Sequence, residues 1–97
     1  MEERFYIDVH FKVAKGWIAY AKINLGYDQA FVHSLFDMLA GRTLPEGFLR
    51  MNLMETKDDF AFLHQSMYCT LPQLAENCML VTKEVFRFYN LDKGILD

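Results

Sequence analysis

The side chains best able to move protons or bind a metal near neutral pH are three histidines, His10, His33 and His64. They are dispersed along the chain, so spacing alone builds no metal site from them. His33 and Asp37 stand four apart, which suits a surface ion pair on a helix worth about 0.3 kcal/mol. Asp58 and Asp59 sit side by side in a turn-forming run, and turn chemistry accounts for both. Cys69 and Cys78 form no C-x-x-C pair and read as small buried hydrophobes with free thiols in a reducing compartment. No glycine-rich phosphate loop, zinc-protease, nucleophile-elbow or calcium-loop pattern occurs. What remains for chemistry is a small-molecule or catalytic pocket using His10, Tyr20 and His64, with no cofactor or metal implied.

The elements that carry these residues follow from hydrophobic period. Phe5, Ile7, Val9, Phe11 and Val13 alternate with Tyr6, Asp8, His10 and Lys12, as in a strand buried on one face. Trp17, Ala19, Ala21, Ile23 and Leu25 repeat that pattern. The two apolar sets coincide if the connection is Ala14-Lys15-Gly16, with Gly16 in the left-handed position of a bulged loop. That register sets His10 opposite Tyr20, Asp8 opposite Lys22 and Val13 opposite Trp17. Asp28 can cap a helix over Gln29–Ala40 with Phe31, Val32, Leu35, Phe36, Met38 and Leu39 on its apolar stripe, and Gly41 stops it. A loop from Arg42 to Gly47 contains Pro45.

Alternation resumes from Phe48 to Glu55, followed by a turn at Thr56-Lys57-Asp58-Asp59. The segment Phe60–Cys69 can be written as strand or as helix. The capping box Thr70-Leu71-Pro72-Gln73 starts a new helix directly after it, which favours the strand. As a strand it turns Ala61, Leu63 and Met67 inward, and Phe60, Phe62, His64, Ser66 and Tyr68 outward. The last helix runs from about Leu71 to Asn90, with Leu80 alone on its polar side and Ile95 and Leu96 beyond it. The expected fold is therefore α+β: two ββα units, about 4–41 and 48–91, forming a four-stranded mainly antiparallel sheet with two helices on one face.

Ninety-seven residues, 53% of them hydrophobic, suit one domain with a real core and exclude a disordered tail. A net charge of −3 argues against a dedicated nucleic-acid binder. Met1-Glu2-Glu3-Arg4 leads into a strand and not into an apolar leader, so a cytoplasmic location is expected, and no membrane span is. The sheet face away from the helices carries more rings than solvation requires. The chain is accordingly read as a small non-enzymatic protein-interaction module, a homodimer through that face, using Tyr6, His10, Tyr20, Arg50, Phe60, Phe62, His64 and Tyr68. Single-stranded nucleic acid on the same face, beside Lys12, Lys22 and Arg50, is an alternative that the missing RNP-type sequence and the net charge weigh against.

Overall fold

The computed structural model describes residues 4–44 and 46–90; Pro45, Ile95 and Leu96 lie outside them. In chain order the elements are β1 (Phe5–Val13), β2 (Gly16–Gly26), α1 (Gln29–Asp37), β3 (Leu49–Lys57), β4 (Phe60–Cys69) and α2 (Leu71–Phe88). The strands form one open antiparallel sheet in the order β2-β1-β3-β4, and with the two helices this is an α+β fold. Among the described residues no helix is long and apolar enough to cross a membrane.

The strand alternative for Phe60–Cys69 is the one adopted, and the capping box behind it is formed in full. Thr70 Oγ1 accepts from the Gln73 amide and Gln73 Oε1 accepts from the Thr70 amide, with Pro72 in the first turn. Asp28 caps α1 by accepting from the Phe31 amide at 2.9 Å. That helix stops at Asp37, three residues short of Ala40, as the Met38 and Leu39 amides turn to the carbonyls three residues back. Asn77 on α2 then accepts from the Ala40 N–H and donates to the Ala40 carbonyl, both at 2.8 Å. The helix thus ends before Gly41, and a tertiary contact holds Ala40.

One buried cluster joins Phe5, Ile7 and Val9 of β1 and Leu25 of β2 to Met51 and Leu53 of β3, with Met67 and Cys69 of β4. Val32, Leu35 and Phe36 of α1, Leu39 just after it, and Leu74 and Val81 of α2 complete it. We call this the core side of the strands. Leu80, expected on a polar face, is half-buried and packs against this cluster. At the opposite end of α2, Phe88 stacks on Phe31 at 4.0 Å and the Tyr89 hydroxyl donates to the Leu25 carbonyl at 2.9 Å. Gly26 permits that closure: its φ is +89°, and a Cβ there would collide with the Tyr89 hydroxyl.

The first hairpin departs from expectation in its last turn. Asp8↔Lys22, Val9↔Ala21 and Ile7↔Ile23 pair as read, but the loop is Ala14-Lys15, and Val13 pairs with Gly16. Phe5 also pairs with Gly26, one residue past Leu25. The residue saved at the loop reappears as a bulge between Val9 and His10, where Tyr20 is the extra residue. Beyond it His10 pairs with Ala19 and Lys12 with Trp17. A bulge inverts the alternation, so Trp17 joins His10 and Lys12 on the side away from the core.

A second bulge, at His64, does the same in β4: Leu53 pairs with Gln65 and Met54 with Leu63. Phe60 and Phe62 thereby pair with Lys57 and Glu55, whereas Ala61 and Leu63 pair with Thr56 and Met54, the reverse of the expected sides. The β3–β4 turn is tight, with Asp58 at φ +54° and Asp59 at φ +68°. Two left-handed residues make a type I′ turn, whose second position favours glycine. Asp59→Gly is expected to raise stability by about 0.5–1 kcal/mol, read as a higher urea midpoint at unchanged m-value.

Candidate functional site

The structure sorts the eight candidate residues into three places. Tyr6, His10, Arg50 and Tyr68 share the side of the sheet away from the core; Phe60, Phe62 and His64 lie in the first half of β4; Tyr20 stands apart. Across the strands, His10 pairs with Arg50 and Arg50 with Tyr68, so these three form one row. Trp17 lies over that row, its ring 4.4 Å from the Arg50 guanidinium carbon and 6.1 Å from the Tyr68 ring. Lys12 Nζ is 6.0 Å from the same indole. In the neighbouring rows Lys22 Nζ sits 4.4 Å from the Tyr6 ring, which it leaves 8% exposed, and Ser66 donates to Asn52 Oδ1 at 2.6 Å. Each stacked cation is worth about 0.5–1 kcal/mol. These contacts explain why the tryptophan settles on this side. His10 Nδ1 and Arg50 Nε are buried with no hydrogen-bond partner among the described residues.

The first half of β4 is different in kind. Phe60 is 67% exposed, Phe62 49% and Leu63 59%. From Phe60 to Cys69 the strand contains no Lys, Arg, Asp or Glu. It is an edge strand, and among the described residues only Tyr68 has a backbone partner on its outer side, through two 2.7 Å bonds with Arg42.

Next to this edge lies a polar cluster that periodicity did not reveal. Glu55, buried on the core side, binds His64 Nε2 at 2.8 Å through one oxygen and Arg4 Nε at 2.7 Å through the other. The His64 ring meets His33 edge-on at 5.2 Å and Phe5 at 5.8 Å. His64 leaves the outward set because the bulge lets it reach this carboxylate. His33 packs here, and the pair expected with Asp37 is not formed among the described residues. Hydrogen bonds from Arg4 and then from His64 hold the Glu55 carboxyl below its ordinary value of 4.5, against the opposing effect of burial. A group lowered in this way stabilises the fold above its unfolded pKa and loses that contribution as pH falls through the folded one. Glu55→Gln should therefore melt below the parent at pH 7, and in a thermal melt series the gap should narrow only below the ordinary value of 4.5 and close as pH falls through the lowered folded value.

Tyr20 packs edge-on against Phe11 at 6.3 Å and lines an apolar groove of about 360 Å³ with Leu49, Leu71 and Leu74. His10, Tyr20 and His64 thus sit in three separate places, and the pocket expected from them is not formed. Both cysteines are free: burial, and secondarily Cys78, pushes the Cys69 thiol up, and burial pushes Cys78 up. Both stay protonated and unreactive near neutral pH. Among the described residues no group of His, Cys, Asp and Glu is arranged to hold a metal.

No protein-family model, curated protein or solved structure matches the chain. Function is therefore argued from geometry. Sequence reading missed Trp17 and Glu55. For Trp17 no signal short of the bulge position would have served; for Glu55 the signal was a carboxylate at an inward position of an alternating strand, which demands a buried partner.

Proposed function

We propose that this chain is a small, non-catalytic protein-interaction module that works as a homodimer, and that its contact is the β4 edge. The reading takes the fold as two ββα units whose helices both cover the core side of the sheet. The observation that carries it is an uncharged edge strand with exposed rings and, among the described residues, no outer backbone partner from Phe60 to Met67. Edge strands of monomeric proteins are blunted by lysine, proline or inward charge, because an open row of N–H and C=O groups is a template for another strand. The other edge, β2, carries Lys22 and a bulge; β4 has a bulge but no charge. A second copy offers the same edge, and antiparallel pairing about a two-fold axis closes the contact. Phe60, Phe62 and Leu63 flank the new ladder and bury their exposed area in it.

Light scattering during size exclusion tests this. At roughly 50 µM protein the expected mass is about twice 11.4 kDa. A monomer mass at that concentration overturns the proposal.

A further inference from the structure

The side of the sheet away from the core differs in chemistry from the β4 edge. Among the described residues the charged side chains on that side are Lys12, Lys22 and Arg50 against Asp8 alone, in a chain whose net charge is −3. The acidic excess of the molecule is therefore elsewhere, and this face is locally cationic. Stacking two copies of it would set three cations against three, so a second copy is a poor occupant. An anionic partner is complementary.

Two further observations define that partner. Trp17 and Tyr68 lie together beside Arg50, a pair of rings flanked by positive charge with a polar row, Asp8, Asn52 and Ser66, alongside. Rings interleaved with cations are what a chain of flat bases joined by phosphates requires. Arg50 forms no ion pair among the described residues, so the charge of its guanidinium is uncompensated and suits a phosphate. Asp8, the single acid, repels phosphate but accepts from a hydroxyl, a group that RNA carries on every sugar and DNA lacks.

We infer that this face binds single-stranded RNA, with bases stacking on Trp17 and Tyr68 and phosphates meeting Lys12, Lys22 and Arg50. Bases in a duplex are stacked on each other and cannot reach these rings, so paired RNA should not bind in the same way.

The site carries its own reporter, because Trp17 is the only tryptophan. Titration of the full chain with oligouridylate of about ten nucleotides should quench its emission saturably. Three phosphate contacts give a log–log salt slope of about −2, a loss of about twentyfold in affinity between about 50 and 200 mM salt. Arg50→Gln should flatten that slope by about 0.7, and Lys22→Gln, at an exposed position, should do the same without disturbing the buried part of the row. Phe62→Asp, on the other surface, should leave it unchanged. Oligothymidylate of equal length should bind about tenfold more weakly, and a matched RNA duplex should not quench at all. Absence of quenching at low salt, a slope unchanged in both charge variants, or equal binding of the DNA or the duplex would overturn the inference.

Discussion

Asn77→Ala is expected to cost about 3 kcal/mol and to lower the melting temperature by about 10–15 °C. The side chain is 2% exposed, accepts from the Ala40 N–H and donates to the Ala40 carbonyl, with Met51 Sδ at 3.5 Å from the same amide nitrogen. No other link of this kind joins the end of α1 to α2 among the described residues: the remaining side-chain hydrogen bonds are elsewhere. Truncation removes both bonds at once and leaves two backbone groups in a partly dry place. An unsatisfied buried group costs about 1–3 kcal/mol, more than a made bond gains. Asn77→Leu should fare no better, since shape is then kept but the pairing is not. Glu76→Ala, on the exposed neighbour, should change stability by less than about 0.5 kcal/mol. Amide exchange gives the local signature: protection should fall first at Met38, Leu39 and Ala40, before the global unfolding limit is reached. Loss confined to the global limit would mean that Asn77 contributes only packing.

That contact also marks where sequence reading stopped. The capped starts of both helices were legible, because Asp28 and the Thr70–Gln73 box are local devices that work within four residues. The end of α1 was not: Ala40, just beyond it, is held by a residue far along the chain, and neither residue announces it. The same distinction runs through the sheet. Strand existence followed from alternation in Phe5–Val13 and again in Phe48–Glu55, where the strand is found at Leu49–Lys57, and the central pairs Ile7↔Ile23 and Asp8↔Lys22 followed from matching apolar faces.

The bulges did not follow. Tyr20 and His64 are unexceptional residues in regular patterns, and each inverts the side taken by everything beyond it. One bulge placed Trp17 where a cationic row could use it; the other set His64 against a buried carboxylate. Both gains are tertiary: 4.4 Å to Arg50 in one case and 2.8 Å to Glu55 in the other. The predicted single aromatic face therefore divides into a cationic surface and an apolar edge.

Phe62→Asp should convert the dimer to a monomer, weakening association by more than about a hundredfold while leaving the fold intact. The reasoning rests on where Phe62 now sits. The ring is 49% exposed and pairs across the ladder with Glu55 at the free end of the sheet, outside the buried cluster. A carboxylate there is solvated in the monomer and faces, across the ladder, Glu55, whose two oxygens are engaged by Arg4 and His64, so it costs at most about 1 kcal/mol. In a two-fold ladder it would lie near its own symmetry mate and near the partner's rings, so it adds like-charge repulsion to the loss of an aromatic anchor, and together these exceed about 3 kcal/mol. Charge on an edge is also the device by which natural sheets refuse a further strand. Lys22→Asp on the opposite edge is the control, because it changes charge more and should leave the dimer mass unchanged. Circular dichroism and the urea midpoint separate dissociation from unfolding: a monomer with the parent's far-ultraviolet spectrum supports the β4 contact. If Phe62→Asp keeps the parent's dimer mass at roughly 50 µM protein, the rings of β4 are not the interface and the proposal fails.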